Sequence, residues 1–370
     1  MSAPSPTIAP VNWTDAARQA AFDRWLAALA DPLHLQPHTL EPASADASFR
    51  RYLRLKQGAG GSVIVMDAPP PLEDVRPFVH LARQMQAAGL HGPLVLAADE
   101  EQGFVLLSDL GHELLLPLLQ TAQASHEASA QAAYPADAQG PHPADPLMRR
   151  VGQALVQWQS AMNPEGWPVY DESLLRREME LFPEWCAGRE FGQAWTDSQR
   201  QAWDRVTQRL IDSALAQPTV AVHRDWMPRN LMVCGDQLGI LDFQDAVRGP
   251  ITYDVASMLR DAFISWDEER EIDWAVRYWQ QARSAGLPVQ DDFGEFWRAL
   301  EWMGLQRHFK VLGIFCRLKH RDGKAHYAKD LPRFFAYATK VVLRYRELAP
   351  LLPLIEPLSG FALEQGYTLR

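Results

Sequence analysis

The sequence predicts an α+β protein of two lobes, a small β-rich N-terminal lobe and a larger, mainly helical C-terminal lobe. Three observations lead to this class. At 370 residues the chain exceeds the length that one hydrophobic core usually serves. Up to residue 107, short apolar runs with β-branched residues alternate with glycine and proline turns, as strands do. Beyond residue 148, apolar residues recur mostly at helical spacing, interrupted by a short strand, a loop and a hairpin between 219 and 243. The expected boundaries are an N-terminal lobe over 1–107, a hinge with an Ala/Gln/Pro-rich insertion over 108–147, and a helical lobe over 148–370.

The elements follow in order. Thr14 to Ala30 places Ala17, Ala21, Trp25 and Ala28 at helical spacing, so an amphipathic helix is expected there. Tyr52 to Leu55 and Ser62 to Met66 read as two strands joined by the Gly58-Ala59-Gly60-Gly61 turn. Prolines 69 to 71 punctuate, and Asp74 to Ala88 reads as a helix stopped by Gly89. Pro93 to Ala97 and Gly103 to Leu107 complete the strands of this lobe. From Thr121 to Asp145 large aliphatics almost vanish in favour of Ala, Gln, His, Ser and Pro, which predicts a mobile loop insertion near the join of the lobes. Helices are then expected over Met148 to Ser160, Asp171 to Ala187, Asp197 to Ala216, and repeatedly between Thr252 and Leu348. No internal repeat is visible.

Composition narrows the function classes. A net charge of −10 argues against a nucleic-acid surface, which carries a basic stripe. The basic stretch RLKHRDGKAHYAK from Arg317 to Lys329 reads either as a solvated helix end or as a rim that attracts anions. No apolar run reaches membrane-spanning length, and the N-terminus lacks a basic segment followed by an apolar one. Cys186, Cys234 and Cys316 have no metal-ligand spacing, which suits reduced thiols in a cytoplasmic protein.

Chemistry concentrates between Val222 and Phe243, which read VHRDWMPRNLMVCGDQLGILDF. Phosphoryl transfer needs a base aimed at the attacking hydroxyl and hard oxygen ligands that hold Mg²⁺ against the ATP phosphates. Asp225 suits the first task, and Asn230 with Asp242 the second. Leu231 to Cys234 and Leu238 to Leu241 form a hairpin around Gly235-Asp236-Gln237, which brings Asn230 and Asp242 to one metal site. His223, a lone histidine, reads as structural.

The order of strand-rich lobe, helical lobe, HRDWMPRN and ILDF resembles the aminoglycoside phosphotransferase family of the protein-kinase-like fold. Within it, SFRRYLRL, SVIVMDAPP with a following ED, LLSDLG, YDESLLRREMELFPEW and LDFQDAVRGPITYDVASMLRDAF are similar to the bacterial anomeric kinases of N-acetylmuramate and N-acetylglucosamine. The similarity spans roughly Ser44 to Trp266 and implies an enzyme of peptidoglycan recycling that phosphorylates the C1 hydroxyl of these amino sugars, with ATP and Mg²⁺ as cofactors. It implies Asp225 as catalytic base, Asn230 and Asp242 as metal ligands, and Asp254 as a support of the catalytic loop. Ser108, Asp109 and Leu110 would read adenine through backbone groups, with side chains of little consequence. Sugars need aromatic faces and charged hydrogen-bonding groups, so Glu180, Trp185, Arg189, Arg260 and Asp261 are candidate sugar contacts. Trp185 also reads as core, and Glu180 with Arg177 as a helix-surface pair. The expected partner is a small amino sugar, with no nucleic acid, membrane or obligate protein.

Two departures stand out. The strand position where such kinases carry a phosphate-holding lysine is Met66, and no lysine lies between Lys56 and the hinge. There is also no glycine-rich phosphate loop; Ser44, Asp46, Ser48 and Arg50 occupy its place, where hydroxyls and backbone N–H groups can cradle phosphate. Arg50 and Arg54, on one face of a strand with Tyr52, are expected to supply the missing charge, while Arg51 points the other way. Two other readings remain at this stage: an aminoglycoside phosphotransferase, and a nucleotide-binding pseudokinase motivated by the absent lysine.

Overall fold

The computed structural model describes residues 11–45, 49–132 and 141–359. The chain divides into two compact units, Met1–Glu113 with Met232–Asp245, and Leu114–Leu231 with Ala246–Arg370. The first is strand-rich and the second mainly helical, the α+β class expected from the sequence.

In the first unit, α1 (Ala16–Ala30) starts where the Asp15 carboxylate accepts the N–H groups of Ala17 and Arg18, at 2.8 and 3.2 Å. Strands β1 (Leu35–Ala45), β2 (Arg51–Gln57) and β3 (Gly61–Asp67), helix α2 (Arg76–Ala87), and strands β4 (Val95–Asp99) and β5 (Phe104–Ser108) follow. The strands form one antiparallel sheet in the order β1-β2-β3-β5-β4. Phe22 and Leu26 of α1 pack on Leu53, Leu55, Val63, Val65, Phe104 and Leu106 of one sheet face. Asp67, on that face and almost fully buried, accepts Arg18 Nη2 at 2.6 Å and Arg51 Nε at 2.9 Å. The carboxylate thus ties helix to sheet, and Arg51 points away from Arg54 as pleating requires. Gly103 turns β4 into β5 at φ +70°, where a Cβ would come within 2.0 Å of the Ala68 carbonyl oxygen.

Strand β1 was not expected. Its prolines break the strand pattern, and the sheet tolerates them because β1 is an edge strand whose register shifts twice, after Gln36 and after Pro42. Ser44, expected in a phosphate loop, pairs with Tyr52 inside this strand. Asp46 and Ser48 lie outside the described residues.

The second unit begins with α3 (Leu115–Ala132), which corrects the loop expected over Thr121 to Asp145 as far as Ala132; residues 133–140 of that stretch lie outside the described residues. Ala, Gln, Ser and Glu are all compatible with a helix, and no glycine or proline interrupts Thr121 to Ala132. Next come α4 (Asp145–Ala161), α5 (Glu172–Leu181), a π-helical stretch over Phe182–Glu190, α6 (Asp197–Leu215) and strand β6 (Thr219–Val222). The hairpin β7 (Leu231–Cys234) and β8 (Gln237–Ile240), which from Met232 on belongs to the first unit, turns at Gly235, φ +59°. Strand β9 (Val247–Pro250) pairs antiparallel with β6. Helices α7 (Tyr253–Leu259), α8 (Glu268–Ser284), α9 (Phe293–Asp322), α10 (Leu331–Arg344) and α11 (Leu352–Ser359) complete the unit.

The 30-residue α9 is the axis of this unit, with every side chain from Ala299 to Leu312 buried. Phe182, Trp203, Phe309 and Phe335 interlock around it. Gly313 lets α9 approach α5 closely: a Cβ there would lie 2.4 Å from Leu181. Close packing of this kind holds buried side chains in fixed places.

Candidate active site

The loop after β6 carries Asp225. His223, fully buried, packs edge-on against Trp158 and Trp226, and its ring nitrogen Nδ1 accepts the Asp225 N–H at 3.3 Å. It organises the loop, as expected of a structural histidine. The next residue, Arg224, stands at φ +76°, a left-handed conformation that is costly for a side-chain-bearing residue. Its surroundings impose it. Asp254 of α7 accepts the His223 N–H at 2.7 Å and the Arg224 N–H at 3.0 Å, and Glu178 of α5 holds the Arg224 guanidinium at 2.7 Å. Beyond Asp225, a single 3₁₀ turn (Pro228–Asn230) lets the Asn230 side-chain amide donate to the Asp225 carbonyl at 2.9 Å. Asn230 thereby has its amide nitrogen turned toward the chain and its oxygen directed the other way.

Behind the loop lies a buried charge network. Glu178 pairs with Arg224 and with Lys310 of α9, Nζ to Oε1 3.1 Å, and accepts from Tyr170; Lys310 also donates to the Tyr253 hydroxyl at 2.9 Å. Burial pushes the Glu178 carboxyl up, but Lys310 and Arg224 outweigh it and hold the group below its usual range. Burial dominates at Asp254 and raises it to about 7, against the two backbone hydrogen bonds.

Asp225 opens onto a cavity of about 120 Å³ whose lining includes Arg229, Tyr253, Phe263, Arg307 and Lys310. Asp225 is the one carboxylate in that lining, against three cations. The sequence reading missed Arg307, Lys310, Glu178 and Tyr253. A usable signal was present: Arg307 and Lys310 interrupt the apolar run of a long helix.

The proposed sugar contacts are not brought together there. None of Glu180, Trp185, Arg189, Arg260 and Asp261 lines the cavity. Glu180 accepts from Arg200 at 2.7 Å and from the Trp203 indole at 3.3 Å. Trp185 packs partly buried on the helical core, and Arg189 is exposed near the end of the π-helical stretch. Arg260 is buried between Glu271 and Glu301, at 3.1 and 3.0 Å, in an ion triad. Asp261 is fully buried, accepts the Phe263 N–H at 2.8 Å, and is raised by that burial.

In the first unit, Asp242 follows β8 at φ +62° and accepts from the Gln244 amide at 2.7 Å. Arg50 pairs with Glu73, Nε to Oε2 3.0 Å. Arg54 is held by Asp109 at 2.6 and 3.0 Å, by the Gly111 carbonyl at 2.8 Å and by His112 at 2.9 Å. Asp109 also accepts Ser62 and the Gly111 N–H. The Asp109 carboxylate is the node of the turn after β5; burial pushes it up, but Arg54 and Ser62 outweigh that and hold it below its usual range. The Ser108 hydroxyl accepts the Leu94 N–H at 2.8 Å, and the Leu110 carbonyl accepts Cys234 Sγ at 3.2 Å. Met66 is fully buried in the sheet. No helix among the described residues is long and apolar enough to cross a membrane.

Against known proteins, the family model described as "phosphotransferase enzyme family" matches residues 39–293. A Pseudomonas putida protein named N-acetylmuramate/N-acetylglucosamine kinase is 49% identical over 324 residues, covering 88% of this chain and 89% of its own. Proteins of the same name from Neisseria meningitidis and Caulobacter vibrioides are 45% and 30% identical, over 88% and 80% of this chain and 92% and 86% of theirs. Among solved structures, the gentamicin complex of APH(2″)-IIa superposes with a TM-score of 0.58 at 13% identity, over 92% of this chain and 99% of that one. The Streptococcus pneumoniae choline kinase LicA gives 0.57 at 12%, over 87% and 99%. These two show the fold alone.

Proposed function

The chain belongs to the phosphotransferase enzyme family, and on that premise we propose that it phosphorylates the C1 hydroxyl of N-acetylmuramate and N-acetylglucosamine with ATP, in cell-wall recycling. One observation carries the acceptor reading: Asp225 stands in a cavity whose other charged lining residues are cations. Such a lining suits a neutral or anionic sugar. It repels the polycationic acceptors that an aminoglycoside phosphotransferase would need, which favours the amino-sugar reading over that alternative.

Asp225 acts as the general base. An anomeric hydroxyl is more acidic than an ordinary alcohol, so a carboxylate of modest basicity suffices. The loop fixes that base: Asp254 and Glu178 hold the strained Arg224, so the carboxylate enters the reaction without first being ordered. Asn230 and Asp242 would hold Mg²⁺. Both offer hard oxygen donors, and the orientation of the Asn230 amide directs its oxygen away from the Asp225 carbonyl. When bound, the ion neutralises phosphate charge during transfer. Arg50, steadied by Glu73, is the cation assigned to the phosphates in place of the absent lysine.

The test is an ADP-release assay over free amino sugars and aminoglycosides, with the product position read by phosphorus NMR. Turnover of both N-acetylated sugars and none of their 1-O-methyl glycosides is expected. Phosphorylation of a blocked glycoside would move the acceptor away from C1, and no sugar turnover at all would support a pseudokinase.

A further inference from the structure

Arg307 is a buried guanidinium, 2% exposed, in the wall of the Asp225 cavity. Among the described residues it forms no ion pair within 4.0 Å, and its recorded hydrogen bond, Nη1 to the Arg260 carbonyl, is a long one at 3.5 Å. The other cations of the lining are differently placed. Lys310 is paired with Glu178, and Arg229 is exposed with its guanidinium 5.1 Å from the Phe263 ring centroid. A guanidinium carries five donors in a rigid fork that matches a carboxylate. The buried Asp254 and Asp261 carboxylates act on it through space but neither meets the fork within 4.0 Å, so most of its donors are left for something that enters the cavity.

The cavity limits what that is. At about 120 Å³ it is comparable to the roughly 150 Å³ cavity that accepts benzene, so it takes the part of a sugar that bears the reacting hydroxyl and one further substituent. Of the two acceptors in the proposed function, N-acetylmuramate carries a lactyl carboxylate and N-acetylglucosamine has a hydroxyl there. The basic run from Arg317 to Lys329 continues from the same helix, and Tyr327 within it lines the cavity. Within that run Lys319 and His320 pair with Glu190, and Arg321 pairs with Asp322.

Resting on that acceptor reading, we propose that Arg307 is a specificity-determining residue that binds the acceptor's lactyl carboxylate while Asp225 faces the hydroxyl. N-acetylglucosamine remains a substrate because water takes the carboxylate's place against the fork.

The experiment compares kcat/KM of the full-length protein for N-acetylmuramate, its neutral lactyl carboxamide and N-acetylglucosamine, then repeats the series with Arg307→Gln and Arg307→Lys. The wild type should favour the carboxylate over the carboxamide by at least about tenfold, a difference of about 1.4 kcal/mol. Arg307→Gln should erase that preference with the KM for ATP unchanged, and Arg307→Lys should restore part of it. Equal wild-type rates for carboxylate and carboxamide would overturn the proposal, even if the variants failed to fold. So would a preference that persists in Arg307→Gln. Wild-type inactivity toward all three sugars would instead overturn the acceptor reading itself.

Discussion

The Asp254 carboxylate accepts the backbone N–H of Arg224 at 3.0 Å, and so holds in place the left-handed residue that immediately precedes Asp225. A carboxylate in this role is unusual in that burial raises it to about 7 from an ordinary 3.8. Between those values the folded protein keeps a proton that the unfolded chain has lost. The stability from this group is therefore fully present below about pH 4 and is lost as pH rises toward 7. Asp254→Asn cannot titrate. The stability difference between wild type and variant should shrink by up to about 3 kcal/mol from pH 5 to pH 8 in denaturant unfolding. A difference that stayed constant would show that Asp254 does not titrate in that window.

Asp225→Asn preserves the loop's shape, since the backbone contacts of Asp225 run through its N–H and carbonyl rather than its carboxylate. It should lower kcat by about 10²- to 10⁴-fold while leaving ATP affinity and melting temperature nearly unchanged. Near-normal kcat in this variant would remove Asp225 as the base.

Asp242→Ala should abolish the Mg²⁺-dependent part of nucleotide binding. Calorimetric titration of ATP with and without Mg²⁺ checks it. Equal Mg²⁺ enhancement in variant and wild type would take Asp242 out of the metal site.

The legible parts of this molecule were local ones. The helices α2 and α6 and the β7–β8 hairpin each carry their periodicity and stop signals within a few residues, and Asp225, Asn230 and Asp242 lie within one stretch of eighteen positions. What stayed hidden depends on distant pairing. Arg260 looked available to a sugar because its neutralising partners, Glu271 and Glu301, lie 11 and 41 residues away. Lys310 meets Glu178 across more than a hundred residues, so neither announced the network behind Asp225. Strand β1 was hidden for a different reason: prolines forbid a central strand, but sequence alone does not say which strand is the edge.

Arg50 and Arg54 should separate cleanly. Arg50 pairs with Glu73, whereas Arg54 is fastened to Asp109, Gly111 and His112. Arg50→Ala should raise the KM for ATP or lower kcat by about ten- to a thousandfold, equivalent to roughly 1.4–4 kcal/mol. Arg54→Ala should act mainly on stability, by freeing the Asp109 turn. Steady-state kinetics and thermal melts of both variants decide it; unaltered ATP kinetics in Arg50→Ala would place the phosphate charge elsewhere.

The last prediction concerns Arg260, read from sequence as a sugar contact and found in a buried triad. Arg260→Met leaves two carboxylates without their shared cation. Glu301 keeps Arg344 and Tyr345, but Glu271 is left with Lys340 at 3.8 Å, and burial already pushes its carboxyl up. Removing one partner of a buried ion pair costs about 3–5 kcal/mol, because the remaining charge is stranded rather than because the pair itself was strong. Replacing Glu271 by Gln in the same chain should therefore recover much of the loss. Unfolding curves of the single and double variants measure this directly. Because Arg260 does not line the Asp225 cavity, kcat/KM for both sugars in the folded fraction should stay within about threefold of wild type. A collapse of sugar kinetics with unchanged stability would return Arg260 to the acceptor site and contradict the triad's structural role.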